Sequence, residues 1–388
     1  MAKRKVLFVI HQLNIGGVQK SVIPMLDAID YETNEVTLYI RKNRTDLLPF
    51  INKSITDIRI NKDKTRYYRK PYSVLLLLKI FFLRLLRKDN TKAQAKLDDY
   101  IKERKMRYEK KHYFSDNSTF DVAISVIQEV TAQFVADFIV AKRKIMLYRD
   151  STDCSHELHE RIMSEFDSIY AVSCGAKDAL SSFYPQFASK MKVIETFVSS
   201  QKVMQLSTEY PVEESRLMLA TCGRMTSVKG YDIAVDAARI IKDEGIDFVW
   251  YFVGDGVERQ KVEKKISDAH LEANIIITGL IKNPYPYIKN CDLYVQPSYE
   301  ESFGRTIKEA MILQRVVVST ATIGAKEQIT DGENGFLTEI SSKGIAERIL
   351  FLLKDEHAKK KVEYHMSLVD YSQDFNDYKK KWKKLLEG

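Results

Sequence analysis

Two short stretches hold the residues whose types and spacing could do chemistry. Gly223-Arg224-Met225-Thr226-Ser227-Val228-Lys229-Gly230 sets two cations five residues apart. A diphosphate needs paired cations of this kind to offset its charge when it leaves water. Further along, Pro297-Ser298-Tyr299-Glu300-Glu301-Ser302-Phe303-Gly304-Arg305-Thr306-Ile307-Lys308-Glu309-Ala310 places Glu301 and Glu309 eight residues apart. Between them, Phe303, Gly304, Arg305 and Thr306 stand where a helix would begin, and N–H groups at a helix N-terminus attract anions. Carboxylates beside an anion site are unfavourable unless they bind hydroxyls, which sugars and riboses supply. The structural alternative for the same residues is a loop with surface cations, a helix cap at Glu301 and a solvated Glu309. Nearer the start, Gly16-Gly17 lies between an apolar run and a helical pattern. Such a pair lets backbone N–H groups approach an anion, although a tight turn accounts for it equally well. The fingerprint G-x-G-x-x-G is absent, which disfavours a dinucleotide oxidoreductase.

These loops need elements to position them, and the chain alternates short aliphatic runs with longer helical patterns. Runs at 5–10, 36–40, 122–126, 145–148, 169–173 and 193–196 are rich in Val, Ile, Leu and Tyr, as are those at 217–222, 248–253, 275–278, 293–296, 316–319 and 335–337. Continuous rather than alternating apolarity marks strands buried on both faces. Between them, stretches such as 232–244, 260–269, 306–313 and 344–353 carry helical spacing. The fold class expected is α/β, with two doubly wound parallel sheets. A length of 388 residues suits two domains. The boundary is expected in the polar stretch 199–214, giving a first domain over 1–197 and a second over 198–370. Residues 371–388 are lysine-rich with Trp382, Leu385 and Leu386 on one side, and are read as a terminal helix returning toward the first domain.

Composition narrows the partners. Lys+Arg 61 against Asp+Glu 53 gives a net charge of +8, which favours an anionic partner. The excess is local, because residues 41–111 hold 22 Lys+Arg and 8 Asp+Glu, a net +14. Cys154, Cys174, Cys222 and Cys291 form no Cys-x-x-Cys, so neither a disulfide framework nor a zinc module is expected, and a reducing cytosol fits. The apolar run at 6–10 is too short for a signal peptide and is interrupted by His11-Gln12. A second run at 74–86, broken by Lys79 and Arg84, is too short to span a bilayer. On a helical wheel Val74, Leu75, Leu78, Phe81, Phe82, Leu85 and Leu86 share one wedge, and Lys79, Arg84, Arg87 and Lys88 cluster on the other half. With the flanking basic residues, over about 62–111, this suits the interface of an anionic membrane. It suits a core helix of the first domain as well. The tyrosines among these cations (Tyr67, Tyr68, Tyr72, Tyr100 and Tyr108) could stack on bases, but no nucleic-acid module accompanies them and the leucine wedge has no use there, so nucleic acid is not an expected partner.

Taken together, Gly223-Arg224 with Lys229-Gly230, Gly254-Asp255-Gly256, Asn283-Pro284-Tyr285-Pro286 and Glu301 to Glu309 resemble the C-terminal domain of glycosyltransferase family 4. Members of that family are retaining, nucleotide-sugar-dependent enzymes of GT-B fold. Gly16-Gly17-Val18-Gln19 is similar to the family's Gly-Gly-x-Glu turn, with Gln last. The resemblance covers most of the chain and is weakest over 42–111. It implies that Arg224 and Lys229 hold the donor diphosphate, with the Gly16-Gly17 backbone closing on it from the other domain. It implies Glu309 on the ribose hydroxyls and Glu301 on the donor sugar. Backbone N–H groups of Phe303, Gly304, Arg305 and Thr306 would contact the sugar or phosphate. Three positions depart from the pattern. Ser302 replaces a usual Gly, Arg305 a frequent apolar residue, and Arg149 stands after the run 144–148, where many relatives carry a sugar-contacting His. Arg149 is expected to touch the donor sugar, a phosphate or the acceptor, unless the alignment is shifted by one or two residues. His156 and His159, at i, i+3 spacing, are expected on a helix surface.

No Asp-x-Asp occurs, so the metal-chelating carboxylates of another glycosyltransferase class are not expected, and no metal or other cofactor is assigned. Leaving-group charge would fall to Arg224, Lys229 and helix N–H groups. Glu301, Arg224 and Lys229 are thus the expected catalytic residues. The donor expected first is a UDP-sugar, with a GDP-sugar second. The acceptor expected is a lipid-linked oligosaccharide or other glycan of bacterial capsule, exopolysaccharide or cell wall. The protein would be cytoplasmic and peripheral on the inner face of the membrane. The competing reading is a family member with weakened catalysis that serves as a partner subunit.

Overall fold

The computed structural model describes residues 2–14, 16–62, 91–114, 118–150 and 157–388. The basic, leucine-rich stretch at 74–86, together with Cys154 and His156, lies outside them. The first sheet has seven strands in the order β3-β2-β1-β4-β5-β6-β7. They are β1 (Arg4–Ile10), β2 (Asn34–Ile40), β3 (Asp57–Ile60), β4 (Thr119–Ser125), β5 (Val140–Tyr148), β6 (Ser168–Ala171) and β7 (Met191–Val193). The second has six in the order β10-β9-β8-β11-β12-β13. These are β8 (Leu217–Cys222), β9 (Phe248–Val253), β10 (Ile275–Gly279), β11 (Leu293–Gln296), β12 (Val317–Thr320) and β13 (Phe336–Thr338). The ladders β1–β2, β1–β4, β8–β9 and β8–β11 are parallel. The expected α/β class with two doubly wound sheets is what the chain forms.

Every expected run becomes a strand, with ends shifted by a few residues. β3 is the exception that the apolarity criterion passes over. Its sequence DIRI alternates polar and apolar residues, and none of the four is fully buried. It sits at a sheet edge, where continuous apolarity is not required. The polar stretch at 199–214 is not all linker. Ser199 caps the helix Ser200–Leu206 by accepting a hydrogen bond from the Lys202 N–H, yet only Val203 of that helix is buried, so no periodicity shows.

The chain divides into two compact units. One comprises Met1–Asn14, Ile29–Tyr148 and His156–Ile169; the other comprises Ile15–Ala28, Arg149–Ser155 and Tyr170–Gly388. The Gly16-Gly17 turn and its helix Gly17–Asp27 thus pack with the C-terminal half. The second unit's core centres on Trp250, Phe248, Phe252, Tyr231 and Tyr294, all essentially buried. Trp250 donates its indole N–H to Thr221 Oγ1 at 3.0 Å, so its polar edge is satisfied in the core. The terminal helix Phe375–Glu387 buries Tyr378, Trp382, Leu385 and Leu386. Its Tyr378 ring stacks on Phe197 at 5.1 Å. Among the described residues, no helix is long and apolar enough to cross a membrane.

In the first unit, the helix Thr91–Tyr113 is fastened to the sheet by one buried carboxylate. Glu109 Oε2 accepts from Arg41 Nε at 2.7 Å and from the Tyr39 hydroxyl at 3.2 Å. Both charged side chains are almost wholly buried, at 4% and 1% exposed. Removing one partner of such a pair leaves the other charge uncompensated, at about 3–5 kcal/mol. Glu109→Ala is therefore expected to lower stability by that amount in urea denaturation followed by circular dichroism. An unchanged midpoint would mean that other interactions fasten the helix.

Candidate active site

In the second sheet the strand order reverses at β8 and β11, which lie side by side. Ligands of open α/β sheets bind outside the carboxyl ends of strands at such a reversal. Both chemistry-bearing loops leave from this point. Arg224 stands two residues after β8 ends at Cys222, and Glu301 five after β11 ends at Gln296. The two loops are tied by the Tyr299 N–H donating to the Val228 carbonyl at 2.9 Å. The glycine-rich turn after β9 supports the first loop, with the Met225 N–H donating to the Asp255 carbonyl at 3.0 Å and the Glu258 N–H to the Met225 carbonyl at 3.1 Å.

Lys229 and Glu301 meet directly. Lys229 Nζ lies 2.5 Å from Glu301 Oε1, with the side chains 26% and 10% exposed. The same oxygen accepts from Gln296 Nε2 at 3.0 Å and Ser298 Oγ at 3.0 Å. Three donors on Oε1 hold the carboxylate in one orientation and leave Oε2 as the oxygen able to receive a hydroxyl. Gln296 extends the network, since its Oε1 accepts from the Tyr294 hydroxyl and from Thr306 Oγ1, each at 2.8 Å. A buried polar network with its members satisfied gives the site a single geometry. Sequence reasoning missed Gln296 and Ser298. The available signal was Gln296 itself, a polar residue closing an otherwise apolar strand.

The helix Arg305–Ile312 begins as expected between the glutamates, with Gly304 as its N-cap at φ 75°. That left-handed conformation favours glycine. Phe303 packs on Ala171, Val172 and Ala176. The Ser302 carbonyl accepts from Ser173 Oγ at 2.7 Å, and the Phe303 and Gly304 carbonyls accept from Gln328 Nε2.

Glu309 is buried rather than solvated, at 4% exposure. Its Oε1 accepts from the Tyr285 hydroxyl at 3.1 Å and from Arg305 Nε at 2.9 Å. Arg305 turns inward along its own helix, and its Nη1 also donates to the Phe197 carbonyl at 3.3 Å. Burial opposes the Arg305 charge, but Glu309 and Tyr285 more than offset it and raise its pKa. Lys20 joins this group from the helix Gly17–Asp27, with its Nζ 5.7 Å from the Tyr285 ring centroid. Burial lowers the Lys20 pKa, and Glu309 opposes that shift. Lys20 and Tyr285 are two further residues not assigned from the sequence. Tyr285 lies inside the Asn283-Pro284-Tyr285-Pro286 motif, whereas nothing local distinguishes Lys20.

Gly16 lies beside Arg224. A Cβ on Gly16 would stand 2.9 Å from Arg224 Nη2 and 2.5 Å from Gln19 Oε1. Both are the far ends of flexible side chains, which a Cβ would push aside, and the backbone, extended at φ 175°, does not itself call for glycine. Arg149 does directly follow β5. Its side chain, however, runs to the Gly17–Asp27 helix, where it donates to Ser21 Oγ at 2.9 Å and to Met25 Sδ at 3.4 Å. Burial pushes its pKa down to about 10, with Tyr378 raising and Arg305 lowering it. His159 lies on the helix Glu157–Ser164. Among the described residues, no group of three or more His, Cys, Asp or Glu is placed to hold a metal ion.

Two doubly wound parallel sheets of seven and six strands form the arrangement of the GT-B fold. Residues 205–372 match the family model described as "Glycosyl transferases group 1". It is 27% identical over 243 residues to 2-deoxystreptamine N-acetyl-D-glucosaminyltransferase of Niallia circulans, covering 60% of this chain and 58% of that one. It is 31% identical over 137 residues to poly(ribitol-phosphate) alpha-N-acetylglucosaminyltransferase of Staphylococcus aureus, covering 34% and 27%. These matches span less than two thirds of either relative's length. The fold is similar to that of Anabaena HepE in complex with UDP, with a TM-score of 0.69, 16% identity and coverage of 99% of both chains.

Proposed function

We propose that this protein is a retaining glycosyltransferase that moves a sugar from a nucleotide-diphosphate sugar to a glycan or lipid-linked acceptor in bacterial surface polysaccharide synthesis. The observation that supports the reading is the Lys229–Glu301 pair, with Arg224 and buried Glu309 on the segments that follow the neighbouring strands β8 and β11. A UDP-sugar is the donor favoured, because HepE, which shares the fold, is a UDP complex. In this reading Arg224 and Lys229 hold the diphosphate, beside Gly16 and Gly17. Lys229 then turns from Glu301 toward phosphate oxygens, and Gln296 and Ser298 keep the carboxylate aimed at the sugar hydroxyls. N–H groups of Phe303, Gly304, Arg305 and Thr306 face the sugar or phosphate. Glu309 accepts the ribose hydroxyls, oriented by Arg305 and Tyr285. Arg149 positions the Gly17–Asp27 helix through Ser21 and Met25.

The chemistry asked of the residues is stabilisation of the departing diphosphate by fixed positive charge, worth about 3 kcal/mol per donor. The acceptor hydroxyl attacks the face from which the diphosphate leaves, and a departing phosphate oxygen takes its proton. The protein works in the cytoplasm, peripheral on the inner face of the membrane. Liposome flotation checks that placement, since no binding to anionic vesicles would end it.

Titration calorimetry and thermal shift against UDP, GDP and their sugars test the donor. A ligand at 100 times its dissociation constant is expected to stabilise the protein by about 2.7 kcal/mol. No heat and no shift with any nucleotide sugar would overturn the reading. NMR of early product is expected to give the donor's own anomeric configuration, and an inverted centre would overturn retention.

A further inference from the structure

At the carboxyl edge of the first sheet, β1 ends at Ile10 and β2 at Ile40, so His11, Arg41 and Lys42 follow directly. The helix Thr91–Tyr113 brings Lys102, Lys105 and Glu109 to the same place, and these six residues line a cavity of about 290 Å³. It opens at the carboxyl ends of the strands, the end of an open α/β sheet on which ligands bind. Four cations and an imidazole face this small space. Among the described residues, Glu109 is the one carboxylate in the lining, and it is engaged by Arg41 and Tyr39.

The positive groups act on one another. Burial, and then Lys42, Arg41, Lys105 and Arg44, push the His11 imidazole down to about 4. Burial, and then Lys105, Arg44 and Arg41, lower the Lys42 ammonium. Like charges held this close repel, and a bound anion relieves that repulsion. Clustered ammonium groups suit phosphate oxygens, and the Arg41 guanidinium, whose Nε and Nη1 donate to Glu109 and to the Val130 carbonyl, lines the pocket behind them. A neutral imidazole adds an N–H donor without a further charge. The volume lies near the lower limit of small-molecule sites. It is therefore suited to one phosphate and its nearest atoms rather than to a membrane surface. All four cations come from residues 41–111, the basic stretch whose charge the donor site does not use.

We propose that His11, Arg41, Lys42, Lys102 and Lys105 form a phosphate-binding pocket that receives the phosphate of a phosphorylated acceptor. The assignment to an acceptor rests on the glycosyltransferase reading; the phosphate site stands on the pocket itself. The phosphate could belong to a polyol-phosphate glycan or to a lipid-linked diphosphate.

The test uses the full chain with UDP saturating, so that the donor site is occupied, at constant ionic strength. Inorganic phosphate is titrated by calorimetry. Saturable binding is expected, weakened roughly tenfold by Lys42→Gln and further by Lys42→Gln with Lys105→Gln, since a charge-assisted hydrogen bond is worth about a factor of ten or more. Lys102→Gln, at a half-exposed position, is the second variant should the double variant not fold, and is also expected to weaken phosphate. Absent binding, binding abolished by UDP, or an affinity in both Lys42→Gln and Lys102→Gln equal to that of the unmodified protein would overturn the pocket. Failure of UDP itself to bind would instead overturn the glycosyltransferase reading. Displacement of phosphate by a glycerol-phosphate oligomer assigns a polyol-phosphate acceptor. Displacement by a short polyprenyl diphosphate in micelles assigns the lipid-linked one. Displacement by neither would overturn the acceptor assignment.

Discussion

Lys229→Ala is expected to lower turnover by roughly 10²–10³-fold, the loss typical of one fixed donor to a developing negative charge. The fold should survive. Lys229 lies in a short turn after β8, is 26% exposed, and is in no core strand. Its partner Glu301 keeps Gln296 and Ser298 as donors, so the carboxylate is not stranded. Lys229→Arg should fall between, because it keeps the charge but not the compact ammonium. Steady-state nucleotide release measures turnover, and thermal melting checks folding. Turnover near that of the unmodified protein in Lys229→Ala would remove this residue from the diphosphate site.

Glu309→Ala should produce the largest combined effect, on stability and on nucleotide affinity. The Arg305–Glu309 pair is 18% and 5% exposed, at 2.9 Å. Removing the carboxylate leaves the Arg305 guanidinium buried without its counter-ion and takes the acceptor from the Tyr285 hydroxyl. Breaking a buried pair in this way costs about 3–5 kcal/mol, and the residual exposure of Arg305 points to about 3 kcal/mol. Replacing both partners, as in Arg305→Leu with Glu309→Leu, should restore most of that stability, because apolar residues of similar volume need no compensation. It should not restore nucleotide binding. Urea denaturation and UDP titration on the two variants separate the roles. Equal UDP affinity in Glu309→Ala and the unmodified protein would remove Glu309 from the ribose site.

The two loops at the strand reversal were readable because their candidate residues are local. Arg224 and Lys229 share one turn, and Glu301 and Glu309 flank one helix start, so charge and spacing lie within a few residues of each other. The inward turn of Arg305 had a local sign too, since Arg305 and Glu309 stand at i, i+4 on one helix face. Residues of the site that lie far apart in sequence carried no such sign. Lys20 reaches the Tyr285 ring only after the chain has folded.

The letters of the chain alone suffice for the two doubly wound sheets, because a strand covered on both faces must be a continuous apolar run and β8, β9 and β11 appear as such. They also give the expectation of a nucleotide-sugar ligand, because paired cations and helix N–H groups suit phosphate oxygens and carboxylates suit hydroxyls. Which carboxylate pairs with which cation emerges only on folding. Arg41 and Glu109 meet from 68 positions apart in the chain, and Lys229 and Glu301 from 72. Such pairings depend on strand order and on burial, which lets a single charge act strongly on its neighbours, and neither is written in any local pattern.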